Sequence, residues 1–254
     1  MSSSIWTRCA GDSELRPLRL SPWRVVESQH QVSTRKLVGS AEEQELLEQL
    51  IDAAKPPDLS AGRSHYLLFT PFRYPPLRHG SRFGRRHERG IWYGSLELRT
   101  AFAEVAYYRL LFLEGTSADL GTVTTPLTAF RATIRTEKGV ALEAPPFASF
   151  RDTIASPVSY EAPQALGEVM REAGVEAFSY PSARDEKGGV NVGAFTPTVF
   201  GRTRPSSLER WHCAASRERV DVSRDDFFRR ETFGYRRQEF IVDNMLPAPG
   251  LQSR

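Results

Sequence analysis

Apolar positions along this 254-residue chain fall into short runs with two different periods, and these runs predict alternating short helices and strands. Ser40 followed by Glu43 has the spacing of a capping box, and Leu46, Leu47, Leu50 and Ile51 then recur on one helical face until Lys55-Pro56-Pro57 stops the run. That helix reads as a packing element without chemistry. Tyr66–Thr70 reads as a short buried strand, and Ile91-Trp92-Tyr93 as the next one, ending at Gly94. Ser95 is placed to cap a helix with an apolar stripe of Leu98, Ala101, Phe102, Val105, Tyr108 and Phe112, closed by Gly115.

Beyond it, Leu127–Thr136 reads as one half-exposed strand and Val140–Leu142 as another. Pro163 opens a helix closed by Gly174. Val175–Tyr180, Val190–Phe195, Glu209–Ala214 and Glu239–Val242 read as further strand pieces. Residues 1–16 read as a loose start, 22–38 as an irregular arm anchored by Trp23, Val25 and Val26, and the tail from Pro247 as frayed. The alternation predicts one mixed α/β (α+β) domain. Its expected organisation is an added arm and helix over 1–60, a core over 61–246 and a tail over 247–254.

Composition narrows the class. Hydrophobic residues at 40 % with 11 % aromatics supply a substantial core. The net charge of +3 with a pI near 9.0 suits an anionic small molecule or acidic partner, and is too weak to argue for nucleic acid. Cys9 and Cys213 are far apart, no apolar leader follows Met1, and no uncharged run approaches the ~20 residues of a membrane span. A cytoplasmic protein is expected. The five histidines are scattered, and no HExxH, P-loop or GxGxxG occurs, so neither a metal nor a Rossmann-type cofactor site is expected.

The candidate chemistry lies between Ser81 and Tyr107. Arg82, Tyr93 and Glu104 are spaced evenly by eleven residues, leading from a Gly-bearing loop across a strand onto a helix. The guanidinium matches phosphate oxygens in pairs. The phenol presents a ring face to a planar base and keeps its hydroxyl free. The carboxylate stabilises a cation of the oxocarbenium kind. Each residue also has an ordinary role: a solvated turn arginine, a strand-end tyrosine, a glutamate paired on the helix with Arg99 or Arg109. Six arginines and two histidines between Arg73 and Arg89, with aromatics among them, also fit a nucleic-acid surface or a ribonuclease.

As an ordered set, SRFG, GIWYGS, FAEVAYYR, AFSYPSARD and NVGAF resemble the RES-domain toxins, and WRVVESQHQVSTRKLV with HYLLFTPFRYPPLRHGSRFG resembles their ParT-like branch. The family's Arg, Glu and Ser fall on Arg82, Glu104 and Ser182. The resemblance spans about residues 22–246. It implies a core similar to diphtheria-toxin-type ADP-ribosyltransferases, and a toxin of a bacterial toxin–antitoxin pair that consumes NAD+ as substrate. It also implies an Xre-like, helix-turn-helix (ParS-like) antitoxin as partner. The reaction it implies is transfer of ADP-ribose to a protein, phosphoribosyl-pyrophosphate synthetase in the ParT-like branch, or else hydrolysis or phosphorolysis of NAD+. On this resemblance Arg82 holds the pyrophosphate, Tyr93 packs on the nicotinamide or its ribose, and Glu104 binds a ribose hydroxyl and stabilises the cation. Ser182 contacts the nicotinamide side or positions the acceptor. Arg73 and Tyr74, at the mouth of the arginine-rich loop, are also expected to bind NAD+, and Arg184 is left as a structural partner of Asp185.

Overall fold

The computed structural model describes residues 4–28, 39–54, 65–74, 79–226 and 228–249. Among these residues, ten strands form one mixed sheet. They are β1 (Arg16–Leu20), β2 (Trp23–Glu27), β3 (Trp92–Ser95), β4 (Val123–Arg131), β5 (Ile134–Ala141), β6 (Ala177–Pro181), β7 (Val190–Ala194), β8 (Ser207–Ala215), β9 (Arg219–Arg224) and β10 (Thr232–Arg236). Their spatial order is β1-β5-β6-β7-β3-β2-β4-β8-β9-β10, and only the β5–β6 pair is parallel. The helices are α1 (Ile5–Arg8), α2 (Ala41–Ala54), α3 (Tyr66–Arg73), α4 (Leu98–Glu114), α5 (Arg151–Ile154) and α6 (Glu161–Glu172). The mixed α+β class expected from the alternation is the one observed.

Several local expectations are corrected. Residues 1–16 are not loose where described: Trp6 on α1 is buried and its indole N–H donates to Asp12. Trp23–Glu27 is not irregular; β2 lies in the middle of the sheet, paired with β4 along five residues and touching β3 at Trp23–Ser95. The remainder of that stretch, 29–38, lies outside the described residues. Tyr66–Thr70 is helical: the His65 ring nitrogen accepts from the Leu67 N–H, and Leu67 and Leu68 turn inward. A short apolar run has no period that separates the two states, which is why YLLFT reads equally as a strand.

Ser95 does not cap α4. It is the last residue of β3, and Glu97 occupies the helix N-cap. The stripe on α4 is also rotated: Ala103, Ala106, Tyr107, Leu110 and Leu113 are buried, whereas Tyr108 and Phe112 are exposed. Leu127–Thr136 is two strands, and Glu239–Val242 gives way to a 3-10 turn at Arg237–Phe240. Pro247 is buried and its carbonyl accepts from the Tyr107 hydroxyl, so the chain is packed there; residues 250–254 lie outside the described residues. At the start of α2 the Glu43 N–H donates to the Ser40 hydroxyl as expected, while the Glu43 carboxylate accepts from the Gly39 N–H; Leu46 and Leu50 are exposed and do not pack as anticipated.

Three apolar clusters hold the sheet. The face of α4 packs on β8, β9 and β10 through Phe102, Trp211, Val222 and Tyr235. Phe83, Phe178, Tyr180 and Met170 fill the space between α6 and β6. Leu67, Leu68, Trp92 and Phe130 form the third, beneath α3. Each cluster clamps one segment that reaches the same cleft: α4, the turn at 81–84, and α3 with β3.

Candidate active site

The Arg82 turn is built from both sides. Ser81 and Gly84 pair their backbones, and Gly80 takes the left-handed φ of +71° needed to enter the turn. Phe83 points into the core with no exposed surface, edge-on to Phe178 and Tyr180. The Tyr93 hydroxyl meets the Ser81 hydroxyl at 2.9 Å and accepts from the Phe83 N–H at 3.2 Å. From α6, the Gln164 amide donates to the carbonyls of His79, Ser81 and Gly84. Gly167 lies so close to the turn that a Cβ would fall 2.0 Å from the Phe83 carbonyl oxygen.

Tyr93 therefore departs from expectation. Its hydroxyl is not free but fastens the arginine turn, and burial pushes its pKa up to about 12. Arg82 itself is buried. It donates to the carbonyls of Ile154 and Ser156 and lies over the Tyr160 ring at 4.9 Å. Among the described residues no carboxylate neutralises it.

Glu104 projects from α4 into the cleft, and its Oε1 is held by two donors. The Ser182 hydroxyl donates at 2.8 Å and the Asn191 amide at 2.6 Å. Among the described residues no donor reaches Oε2. Ser182 is buried behind Glu104 and also accepts from the N–H groups of Arg184 and Asp185, which fixes its single proton on the glutamate. It is not among the residues lining the cleft, and its hydroxyl proton is given to Glu104. Arg184 does not pair with Asp185. It stacks 3.6 Å over the Tyr107 ring and donates to the Pro157 carbonyl, while Asp185 takes Thr100 and Arg99.

The cleft has a volume of about 900 Å³, within the size range of small-molecule sites. Arg82, Tyr93, Glu104, Tyr160, Tyr180 and Asn191 line its inner end; Tyr66, Tyr74, Tyr108 and Phe112, all exposed, line its outer part. Tyr74 is among the residues lining the cleft. Arg73 does not line the cleft; its guanidinium lies 5.9 Å from the Tyr74 ring. Among the described residues no cluster of His, Cys, Asp and Glu side chains is arranged to hold a metal ion, and no helix is long and apolar enough to cross a membrane.

Arg24 and Asn191, like Tyr160 and Tyr180, escaped the sequence reading. Arg24 on β2 enters the cleft, donates to the Tyr93 carbonyl at 2.6 Å and lies 5.6 Å from the Trp92 ring. Burial draws its pKa down to about 10, so it remains a cation at neutral pH, and no carboxylate among the described residues pairs with it. Asn191, on β7, was visible only as part of the NVGAF motif. Nothing in its spacing announced the contact with Glu104.

Two guanidinium groups without anionic partners among the described residues and one carboxylate held by neutral donors thus share a cleft with a tyrosine-rich wall. That arrangement suits a ligand carrying phosphates at one point and a sugar hydroxyl beside developing positive charge at another. No curated protein matches this chain in sequence. The sequence profile of the RES domain matches residues 57–215, more than half of the chain, and RES domains are generally NAD-utilising, enzyme-like domains associated with toxin activity. The chain belongs to the RES domain family.

Proposed function

We propose that this protein cleaves the nicotinamide–ribose bond of NAD+ and transfers the ADP-ribosyl group to a protein. The observation that carries the reading is Glu104: its Oε1 is occupied by Ser182 and Asn191, leaving Oε2 toward a cleft that also holds the unneutralised Arg24 and Arg82. The two arginines bind the diphosphate. Oε2 accepts from a ribose hydroxyl, and its charge stabilises the oxocarbenium-like ribose as the C–N bond breaks. The bonding pair leaves with the ring nitrogen, so the pyridinium departs as neutral nicotinamide. The acceptor then bonds to the ribose carbon and releases its proton to solvent. Tyr93 and Tyr180 wall the nicotinamide end, where their buried phenols remain protonated.

Transfer is favoured over hydrolysis or phosphorolysis because the outer cleft is open and lined by exposed aromatics, room for a macromolecular acceptor. By the resemblance to ParT-like toxins the acceptor is phosphoribosyl-pyrophosphate synthetase, and an Xre-like (ParS-like) antitoxin is the partner that blocks the site. We place the activity in the bacterial cytoplasm. The arginine-rich loop supports a nucleic-acid surface less well: Arg82 turns inward and Arg85 pairs with Glu168 at 2.9 Å.

The test is incubation with NAD+ labelled in its adenine half, with and without cell extract, following free nicotinamide and labelled protein. Nicotinamide release with label in a protein band supports transfer. Label in small molecules alone moves the assignment to degradation, and no nicotinamide release overturns NAD+ cleavage.

A further inference from the structure

We propose that Asn191 is the residue that positions the Glu104 carboxylate, and that Ser95 fixes Asn191 for that task; the inference rests on the catalytic role given to Glu104 above. Asn191 is buried at 2 % exposure in β7, between β6 and β3. Its cross-strand neighbour Ser95 donates from its hydroxyl to Asn191 Oδ1 at 2.7 Å. An ionised carboxylate oxygen only accepts, so Nδ2 must face Glu104 Oε1, 2.6 Å away, and Oδ1 is left to the Ser95 hydroxyl, which holds the amide in that plane.

Ser182 delivers the second hydrogen bond to the same oxygen from the segment after β6. A carboxylate oxygen has two lone-pair directions, and both are now filled. Oε1 is thereby closed to substrate, the carboxylate plane is fixed, and Oε2 is the only oxygen that can meet a ribose hydroxyl. Three elements contribute, and every group around Oε1 donates. The arrangement selects an acceptor there.

The test compares NAD+ turnover by wild type, Asn191→Ala, Asn191→Asp and Ser95→Ala, with the melting temperature of each. Asn191→Ala is expected to lower kcat by about 10- to 100-fold, the loss of one hydrogen bond to a charged group, with KM for NAD+ within about threefold. Asn191→Asp keeps the shape and the bond from Ser95 but places an oxygen where the donor stood. The two carboxylates then repel or share a proton, so kcat falls below that of the alanine variant. Ser95→Ala, which leaves Glu104's own donors in place, is expected between wild type and Asn191→Ala.

A residue needed only for packing leaves kcat of a folded Asn191→Ala within about twofold of wild type, and that result overturns the proposal. So does a loss confined to KM. If the Asn191 variants do not fold, full kcat in a folded Ser95→Ala overturns it. Wild type without nicotinamide release is a separate failure, that of the NAD+ reading itself, and the positioning role falls with it.

Discussion

Arg24 donates through its guanidinium to the backbone carbonyl of Tyr93 across 2.6 Å, joining the first central strand to the strand that carries the site tyrosine. The bond uses one side of the guanidinium and leaves the others for the cleft. Arg24→Met keeps much of the stem's packing and removes the charge. NAD+ KM is expected to rise about 10- to 100-fold, as for one lost charge-assisted hydrogen bond, with a smaller effect on kcat. Steady-state kinetics at several NAD+ concentrations measure it. An unchanged KM removes Arg24 from diphosphate binding.

Glu104→Gln tests the charge while preserving shape. A glutamine oxygen at the Oε1 position still accepts from Ser182 and Asn191, so the fold around it is retained. Loss of the negative charge beside the ribose is expected to cut NAD+ turnover by about 100-fold or more. Free nicotinamide is the readout; turnover within a few-fold of wild type in the folded variant takes Glu104 out of the reaction.

Gly167→Ala tests whether α6 fixes the arginine turn. A Cβ there meets the Phe83 carbonyl oxygen at 2.0 Å, and backbone on both sides leaves no side chain to move away. The variant is expected to lose about 1–3 kcal/mol in urea unfolding and to bind NAD+ more weakly, because Arg82 shifts with the turn. Unchanged stability and KM together would show that the turn is not held from this side.

Alkaline pH probes the buried phenols. Tyr93 and Tyr107 are raised to about 12 by burial, and Tyr180 and Tyr235 shift the same way. An unfolded tyrosine titrates near about 10, so above that pH the unfolded chain releases protons that the native state keeps. The phenols' contribution is full below about pH 10 and is lost as pH rises toward the folded values, by about 1.4 kcal/mol per pH unit for each phenol. Arg24 works in the opposite direction, since its lowered value favours the native state over the same range. One cation does not offset four phenols. The urea midpoint is therefore expected to be lower at about pH 11 than at about pH 8, the fall beginning near about pH 10, with the phenolate absorbance of these four buried rings appearing as the protein unfolds. A flat midpoint would count against the burial of these rings.

Much of the framework was legible from local pattern. The helix after Pro163, its stop at Gly174, the strand leading to Ser182 and the turn at Gly188-Gly189 all carry strong punctuation, and the structure has them within a residue or two. The misreadings occur where local signals are degenerate. YLLFT is apolar throughout and has no period. Ser95 has a capping residue's chemistry, but its hydroxyl is claimed by Asn191 in the next strand.

The sequence by itself determined the mixed architecture and the candidates Arg82, Tyr93 and Glu104, because their neighbours set short-range periodicity and turn chemistry. Tertiary structure alone decided that Arg24 joins them, that Ser182 faces the glutamate instead of the cleft, and that Tyr93 spends its hydroxyl on the Arg82 turn. Those contacts join residues from 10 to 78 positions apart. Where such a side chain's hydrogen bond goes depends on which strands become neighbours, and sheet order is set by burial of the whole core rather than by any local run of residues.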